Sequence, residues 1–352
     1  MKICSKCLLP ENYPHISYDE AGVCCVCRDY EERFKKIDYA EREKSLSVLF
    51  DKYRNKGRRW DCMVPVSGGK DSSYVLYVCK VKYKMRVLAV NFDNGFTSVA
   101  AIRNLKSITS ELDVDFISYK PNFGILKKLY RTFLLKTGDF CPPCSRGVTT
   151  LTYRIARQEK IPLIVLGYNP ITDMNPREIE TIDQKLLLSV AEGTISRKEL
   201  EDFVFFQPMR ILVKRINLPE YVRWDEQEIV RTLGEVVCSE GGFDGEMHFD
   251  CIMSPVADYL RKKKWGFGKK VQKYSALIRD GQMTRDQAFE KLKTATDDRE
   301  PAELEDFMKI LDVTSEDIAK VKHLSHLNYK SYNVNFLKLL QKFNIISRDD
   351  HF

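Results

Sequence analysis

Residues 64–77 read VPVSGGKDSSYVLY: an apolar run, a glycine pair with a lysine, then an amphipathic segment. That order predicts a strand, a tight loop and a helix. Glycines let the backbone turn sharply and let N–H groups approach an anion closely. The helix N-terminus adds partial positive charge and Lys70 a full one, so Ser67-Gly68-Gly69-Lys70-Asp71-Ser72-Ser73 is a candidate phosphate cradle with three hydroxyls as further donors. A Walker A loop is excluded, because it needs four residues between its first glycine and Gly-Lys, with Ser or Thr after the lysine. Here Gly68 directly precedes Gly69, and Asp71 follows Lys70. That aspartate is a poor neighbour for a γ-phosphate but a reasonable magnesium ligand. The dinucleotide fingerprint G-x-G-x-x-G is absent as well.

Outward from the loop, short apolar runs alternate with amphipathic segments. CMVPV (62–66), RVLAVNF (86–92), DFISY (115–119) and PLIVLG (162–167) are each too short for a useful helix and read as strands. Helices are expected between them over 71–83, 97–113, 123–137 and 146–159. This alternation implies parallel pairing and a doubly wound α/β sheet. Ligands of such sheets gather at the carboxyl ends of the strands. There, VNFDNGF offers Asn91 and Asp93, with Asp93 a candidate for magnesium or ribose and a plain turn-former as the alternative. GYNPITDMN offers Gly167, Asn169 and Asp173 on the same edge, again against ordinary turn chemistry.

Before the sheet lies a charged helical connector at 33–58, and before that a segment at 1–32 rich in Cys, Pro and Gly. The nucleotide domain is expected over 59–235. A mainly helical region contributing to substrate binding is expected over 236–352. Within it, Thr284 with Gln287 forms a capping-box start, while Pro301 and the Thr314–Asp317 pair mark two more helix starts.

Eleven cysteines in a chain with no export signal argue for metal or redox use rather than a disulfide scaffold. Cys4 and Cys7 with Cys24 and Cys27 give C-x2-C-x16-C-x2-C, the spacing of a structural zinc ribbon. An iron–sulfur centre and a free thiol set are the alternatives, and Cys25 is an extra thiol inside the second knuckle. Such a module cannot bury enough core alone, so a metal would make it foldable. Cys141 and Cys144 form a separate C-x-x-C with Cys238, His248 and Cys251 as distant candidate partners. Half of a second metal site, a redox or sulfur-carrying pair, and simple packing all remain open. Arg146 stands two residues on, facing either an anionic ligand or solvent.

The chain has 352 residues, 43% hydrophobic and 30% charged, with a net charge of +7. That is a globular composition, with an anionic ligand accommodated and nucleic acid not demanded. No apolar run is long enough to span a membrane, so the cytoplasm is expected. RKKKWGFGKK (261–270) interleaves cations with Trp265, Gly266, Phe267, Gly268 and Lys269. It is a candidate grip for single-stranded nucleic acid or for the diphosphate of a nucleotide sugar, with a solvated helix face as the plain alternative.

Ser67 to Ser72 resemble the PP-loop of the N-type ATP pyrophosphatases, which holds the pyrophosphate released when ATP adenylates an oxygen. Further motifs narrow the likeness: the Cys4 ribbon, DNGF, the C-x-x-C, WDEQEIVRTL and the tail GEMHFDCIMSPVADYLRKKKWGFGKK with IRDGQMTRDQA. In this order the set resembles the N-acetyl sugar amidotransferases of bacterial O-antigen and flagellin-glycan biosynthesis, over nearly the whole chain. The resemblance implies a HUP, or adenine-nucleotide α-hydrolase-like, sheet using ATP, Mg2+ and Zn2+. It implies that a sugar acetamido group, on a sugar that is free or nucleotide-linked, is adenylated and its oxygen replaced by ammonia-derived nitrogen. Lys70, Asp71 and Asp93 would then be the catalytic set, with Ser67 to Ser73, Asn91 and Gly167 around ATP. Ammonia would come from separate subunits like the histidine-pathway glutaminase and cyclase. A PP-loop tRNA-modifying enzyme and a non-catalytic zinc-bearing ATP-binding scaffold are the rival readings.

Overall fold

The computed structural model describes residues 2–57, 59–169, 183–204, 213–236, 250–295 and 299–330. Strands β1 (Cys62–Pro65), β2 (Val87–Phe92), β3 (Asp115–Tyr119), β4 (Leu163–Leu166) and β5 (Lys214–Asn217) form one sheet. Its order is β3-β2-β1-β4-β5, and every neighbouring pair is parallel.

Alternation along the strands builds two cores. Met63, Leu88, Val90, Phe92 and Ile164 face one side, while Cys62, Val64, Val87, Ala89, Leu163 and Val165 face the other. The first face is covered by α5 (Phe123–Thr137), α6 (Pro142–Gln158) and α7 (Gln184–Ala191). Helices α2 (Tyr39–Tyr53), α3 (Lys70–Tyr77), α4 (Val99–Glu111) and α8 (Glu226–Val236) cover the second. Both faces are buried, so the central strands read as continuous apolar runs.

The N-terminal segment holds the cysteine cluster and helix α1 (Cys25–Arg33), which continues one residue past the expected module boundary. After the sheet come α9 (Ser254–Trp265), α10 (Lys269–Asp280), α11 (Arg285–Ala295), α12 (Leu304–Leu311) and α13 (Ser315–Lys320). The expected capping box forms, Thr284 and Gln287 exchanging hydrogen bonds of 2.9 and 3.2 Å, and the helix start expected at Thr314 is a capping box as well, with Asp317 as its partner. Pro301 stands in the turn before α12, its carbonyl accepting from Leu304 N.

Three features differ from expectation. Helix α6 begins at Pro142 rather than 146, since proline is pre-organised for the first turn. Helix α3 passes into a π-helical turn at Val78–Lys82. Strand β5 escaped notice because KRIN carries two cations and pairs only with β4, as an edge strand does. Asp173, Cys238, His248 and the last part of the expected helical region, 331–352, lie outside the described residues. Among the described residues no helix is long and apolar enough to cross a membrane.

Candidate active site

Strand order reverses at β1, with β2 on one side and β4 on the other. A crevice opens where an open sheet changes direction in this way. The loop after β1 leaves from that point, and Gly69 caps α3. Gly68 adopts φ +85°, and a Cβ there would stand 2.4 Å from Ala101 O, so no side chain fits. Ser67 and Ser72 brace the turn: Ser72 Oγ donates to Gly69 O at 3.1 Å, and Gly69 N donates to Ser67 Oγ at 3.3 Å. Ser73 Oγ is buried with no hydrogen-bond partner among the described residues. Gly167 packs on the first turn of α3, 3.3 Å from Asp71 O to a built Cβ.

Lys70 is buried between two carboxylates. Its Nζ lies 2.7 Å from Asp71 Oδ1 and 3.4 Å from Glu226 Oε1, and Lys273 Nζ lies 2.9 Å from the same Glu226 oxygen. Burial alone would lower the ammonium pKa, but Asp71 and Glu226 outweigh it and hold Lys70 above the ordinary lysine value. Trp224 Nε1 donates to Asp71 Oδ1 at 3.0 Å. The WDEQEI motif therefore folds onto the glycine loop. Nothing local in the sequence marks Trp224, Glu226, Lys273 or Asp250 as neighbours of the loop; only the tertiary packing brings them there. Asp250 Oδ2 lies 3.6 Å from a Cβ built on Gly69.

The other candidates distribute unevenly. Asp93 Oδ1 accepts from Gly95 N at 2.9 Å, the turn chemistry anticipated, while Oδ2 lies 3.9 Å from Lys120 Nζ at the strand ends. Asn91 is buried and works inside the sheet: its Nδ2 donates to Val66 O at 2.8 Å and its Oδ1 accepts from Ser118 at 3.2 Å. Asn169 is buried beyond β4. Arg146 is only 2% exposed and donates to Gln184 Oε1 at 3.5 Å, so it is not a solvated helix start.

Trp265 to Lys269 form the seam between the cysteine module and the C-terminal helices. Phe267 is buried in the module's own core, 5.4 Å from the Tyr13 ring. Asn12 Nδ2 donates to Trp265 O at 2.7 Å, and Gly266 ends α9 with φ +76°. Lys269 N donates to Asp258 Oδ1 at 2.6 Å, which occupies the start of α10. Lys264 and Lys269 line a small open cleft with Asp139, Cys141, Arg261 and Trp265.

Cys4, Cys7, Cys24 and Cys27 are buried, with all four Sγ atoms within 4.8 Å of one another. Backbone N–H groups of Lys6, Cys7 and Cys24 point at Cys4 Sγ from 3.2–3.4 Å, and Leu9 N points at Cys7 Sγ. Four gathered sulfurs with amide donors suit a tetrahedral thiophilic ion. Hydrogen bonding within the set, led by Cys24, holds Cys7 down at about 6 and Cys4 lower still, while Cys24 and Cys27 are pushed up. Cys25 is not part of the cluster, since its thiol sits against Ser17 N and His15 O.

Cys141 caps α6 and Cys144 lies in its first turn. Asn94 Nδ2 donates to Cys144 Sγ at 3.6 Å, and Cys251 bridges to Thr97 just beyond. Burial raises the Cys144 thiol to about 12.

The comparisons with known proteins bear on this arrangement. An uncharacterized protein of Methanocaldococcus jannaschii is 22% identical over 282 residues, 79% of this chain and 88% of the relative. The tRNA-cytidine(32) 2-sulfurtransferase of Paracoccus denitrificans is 31% identical over 118 residues, 32% of this chain and 38% of that protein. Among solved structures, the NMN synthetase from Francisella tularensis superposes with a TM-score of 0.41 at 12% identity, covering 76% of this chain and 98% of that one. Residues 243–352 match the family described as LPS biosynthesis protein WbpG-like, C-terminal domain. Over that C-terminal stretch the chain is thus similar to the WbpG-like LPS biosynthesis proteins, in agreement with the relationship implied by its motifs.

Proposed function

We propose that the protein is an AMP-forming ATP-dependent amidotransferase acting on the acetamido group of a sugar. The observation that carries the ATP part is the loop itself. Buried Lys70 and the first turn of α3 stand at the switch point of a parallel sheet, with Asp71 beside them. The sugar part is supported by the WbpG-like C-terminal match and the tail motifs.

An amide carbonyl is a weak electrophile, so its oxygen must first become a leaving group. In the proposed reaction that oxygen attacks the α-phosphorus of ATP. The bond to the bridging oxygen breaks, and pyrophosphate leaves with the electron pair. The loop N–H groups, the Ser73 hydroxyl and Lys70 receive this growing negative charge. Asp71, steadied by Trp224, and Asp93 would hold Mg2+, which would neutralise phosphate charge when bound. Ammonia then attacks the imidate carbon, and AMP departs with the original oxygen, leaving an acetamidino group. Positioning and electrostatics suffice, so no nucleophilic side chain is required. A glutaminase and a cyclase-like subunit would supply the ammonia, and the N-terminal ribbon would hold Zn2+.

A second reading is favoured by one observation, the 31% identity over 118 residues to a tRNA 2-sulfurtransferase. A single experiment separates the two. The protein is incubated with ATP, magnesium, an ammonium salt and UDP-N-acetyl sugars, and AMP and pyrophosphate are measured. Sugar-dependent AMP supports the proposal, and ADP would overturn the loop assignment. AMP formed only with tRNA, with tight salt-sensitive tRNA retention, would establish the second reading instead. Lys70→Ala should lower AMP formation by about a hundredfold or more.

A further inference from the structure

Two buried lysines meet over one carboxylate oxygen. Lys70, from the glycine loop, and Lys273, from α10, lie 3.4 and 2.9 Å from Glu226 Oε1. The C-terminal helices build this meeting. Gln282, just after α10, grips the segment that carries Glu226 from both sides. Its Oε1 accepts from Glu226 N at 3.0 Å, and its Nε2 donates to Trp224 O at 2.8 Å. Trp224 in turn donates to Asp71, the other carboxylate on Lys70. One stretch of the C-terminal region therefore supplies a cation to the loop and fixes both carboxylates that face it.

We infer that Lys273 is a second phosphate-binding cation of the ATP site, and that Glu226 holds the two ammonium groups in place until the polyphosphate takes them over. The inference rests on the glycine loop being a phosphate cradle, and it is independent of which acceptor ATP activates. Ammonium groups buried side by side repel each other and need anionic charge between them. Asp71 and Glu226 provide that charge here. Once Asp71 turns to Mg2+, as proposed, Lys70 is left to Glu226, whose same oxygen already serves Lys273. The oxygens of a β- or γ-phosphate carry the charge that the two ammonium groups then share. An ion pair that only fastened α10 to α8 would gain little from burial, because desolvating both charges offsets much of their attraction. Burying it against the loop lysine instead makes a receptor for a multiply charged anion.

Its test reads the binding of phosphates with no acceptor present. Full-length protein is titrated calorimetrically, with magnesium, against ATP, inorganic pyrophosphate and AMP, and melting curves establish that each variant is folded. Lys273→Met keeps the buried stem without the charge, and Lys273→Gln keeps a hydrogen bond to Glu226 as well. Each should weaken ATP and pyrophosphate binding by about tenfold or more while changing AMP binding little. Lys273→Arg should recover part of the loss. Glu226→Gln releases both cations and should tighten pyrophosphate binding. A lowered melting temperature with pyrophosphate affinity unchanged in the folded variants would reduce Lys273 to a staple between helices. That result, or an equal loss for AMP and pyrophosphate, overturns the inference and leaves the loop assignment standing. Wild type that binds neither ATP nor pyrophosphate would instead overturn the loop assignment, and the role of Lys273 with it.

Discussion

At the scale of single residues, buried charge carries the most information. Glu226 is the shared counter-ion of Lys70 and Lys273, whose side chains are only 7% and 10% exposed. Glu226→Ala removes the carboxylate shared by two buried cations and leaves Asp71 beside Lys70, and stability should fall by about 3 kcal/mol in denaturant titration. A nucleotide phosphate supplies the missing negative charge, so ATP should raise the melting temperature more in this variant than in wild type. Equal stability of variant and wild type would show that the pairing is incidental. Asp61 offers a contrasting case far from the site. It accepts from Asn55 N at 2.7 Å and from Arg86 Nη2 at 2.6 Å. Burial works against its charge, but Arg86 outweighs this and holds the carboxyl below the ordinary value of 3.8. A depressed folded-state pKa stabilises where the unfolded carboxylate is ionised, and that stability is lost as pH falls through the lower folded value. Asp61→Asn should therefore cost about 2 kcal/mol at neutral pH, a difference that shrinks in unfolding curves recorded below about pH 4.

At the scale of elements, much was legible because its causes are local. The glycine pair, Lys70 and the apolar run before them specify strand, loop and helix within one short window. The capping boxes at Thr284 and Thr314 are likewise written within four residues. Strand β5 was not legible, since an edge position tolerates the cations Lys214 and Arg215. Nor was the role of Phe267. Its basic, aromatic setting suggested a ligand grip, yet the ring fills the core of a module more than two hundred residues away in sequence. Phe267→Ala should cost about 3 kcal/mol and expose residues 1–32 to limited proteolysis, with the sheet domain intact on the same gel. Unchanged cleavage would mean that the seam is held elsewhere.

At the scale of the whole molecule, the N-terminal module is wired to the glycine loop. Arg285 donates to the carbonyls of Cys4 and Cys7 at 3.0 and 3.3 Å, and Leu8 N donates to Ser275 Oγ at 3.2 Å. The Tyr30 hydroxyl bonds Asp280, which also receives Arg223 at 3.0 Å, and the next residue, Trp224, holds Asp71. If the four sulfurs hold Zn2+ as proposed, a strong chelator should melt residues 1–32 and weaken ATP binding by several-fold, with recovery on adding Zn2+. ATP affinity unchanged after complete metal loss would cut this link.

The sequence by itself determined the β–loop–α cradle, the parallel alternation and the four-sulfur ribbon, because turn chemistry, periodicity and knuckle spacing act over a few residues. The tertiary structure decided which distant groups meet that cradle. Glu226, Trp224, Lys273 and Asp250 arrive there only once the sheet has reversed direction at β1 and the C-terminal helices have closed over the loop. The same packing decided that Cys251 pairs with Thr97, after β2, while the Cys25 thiol turns away from the four-sulfur cluster toward His15 O.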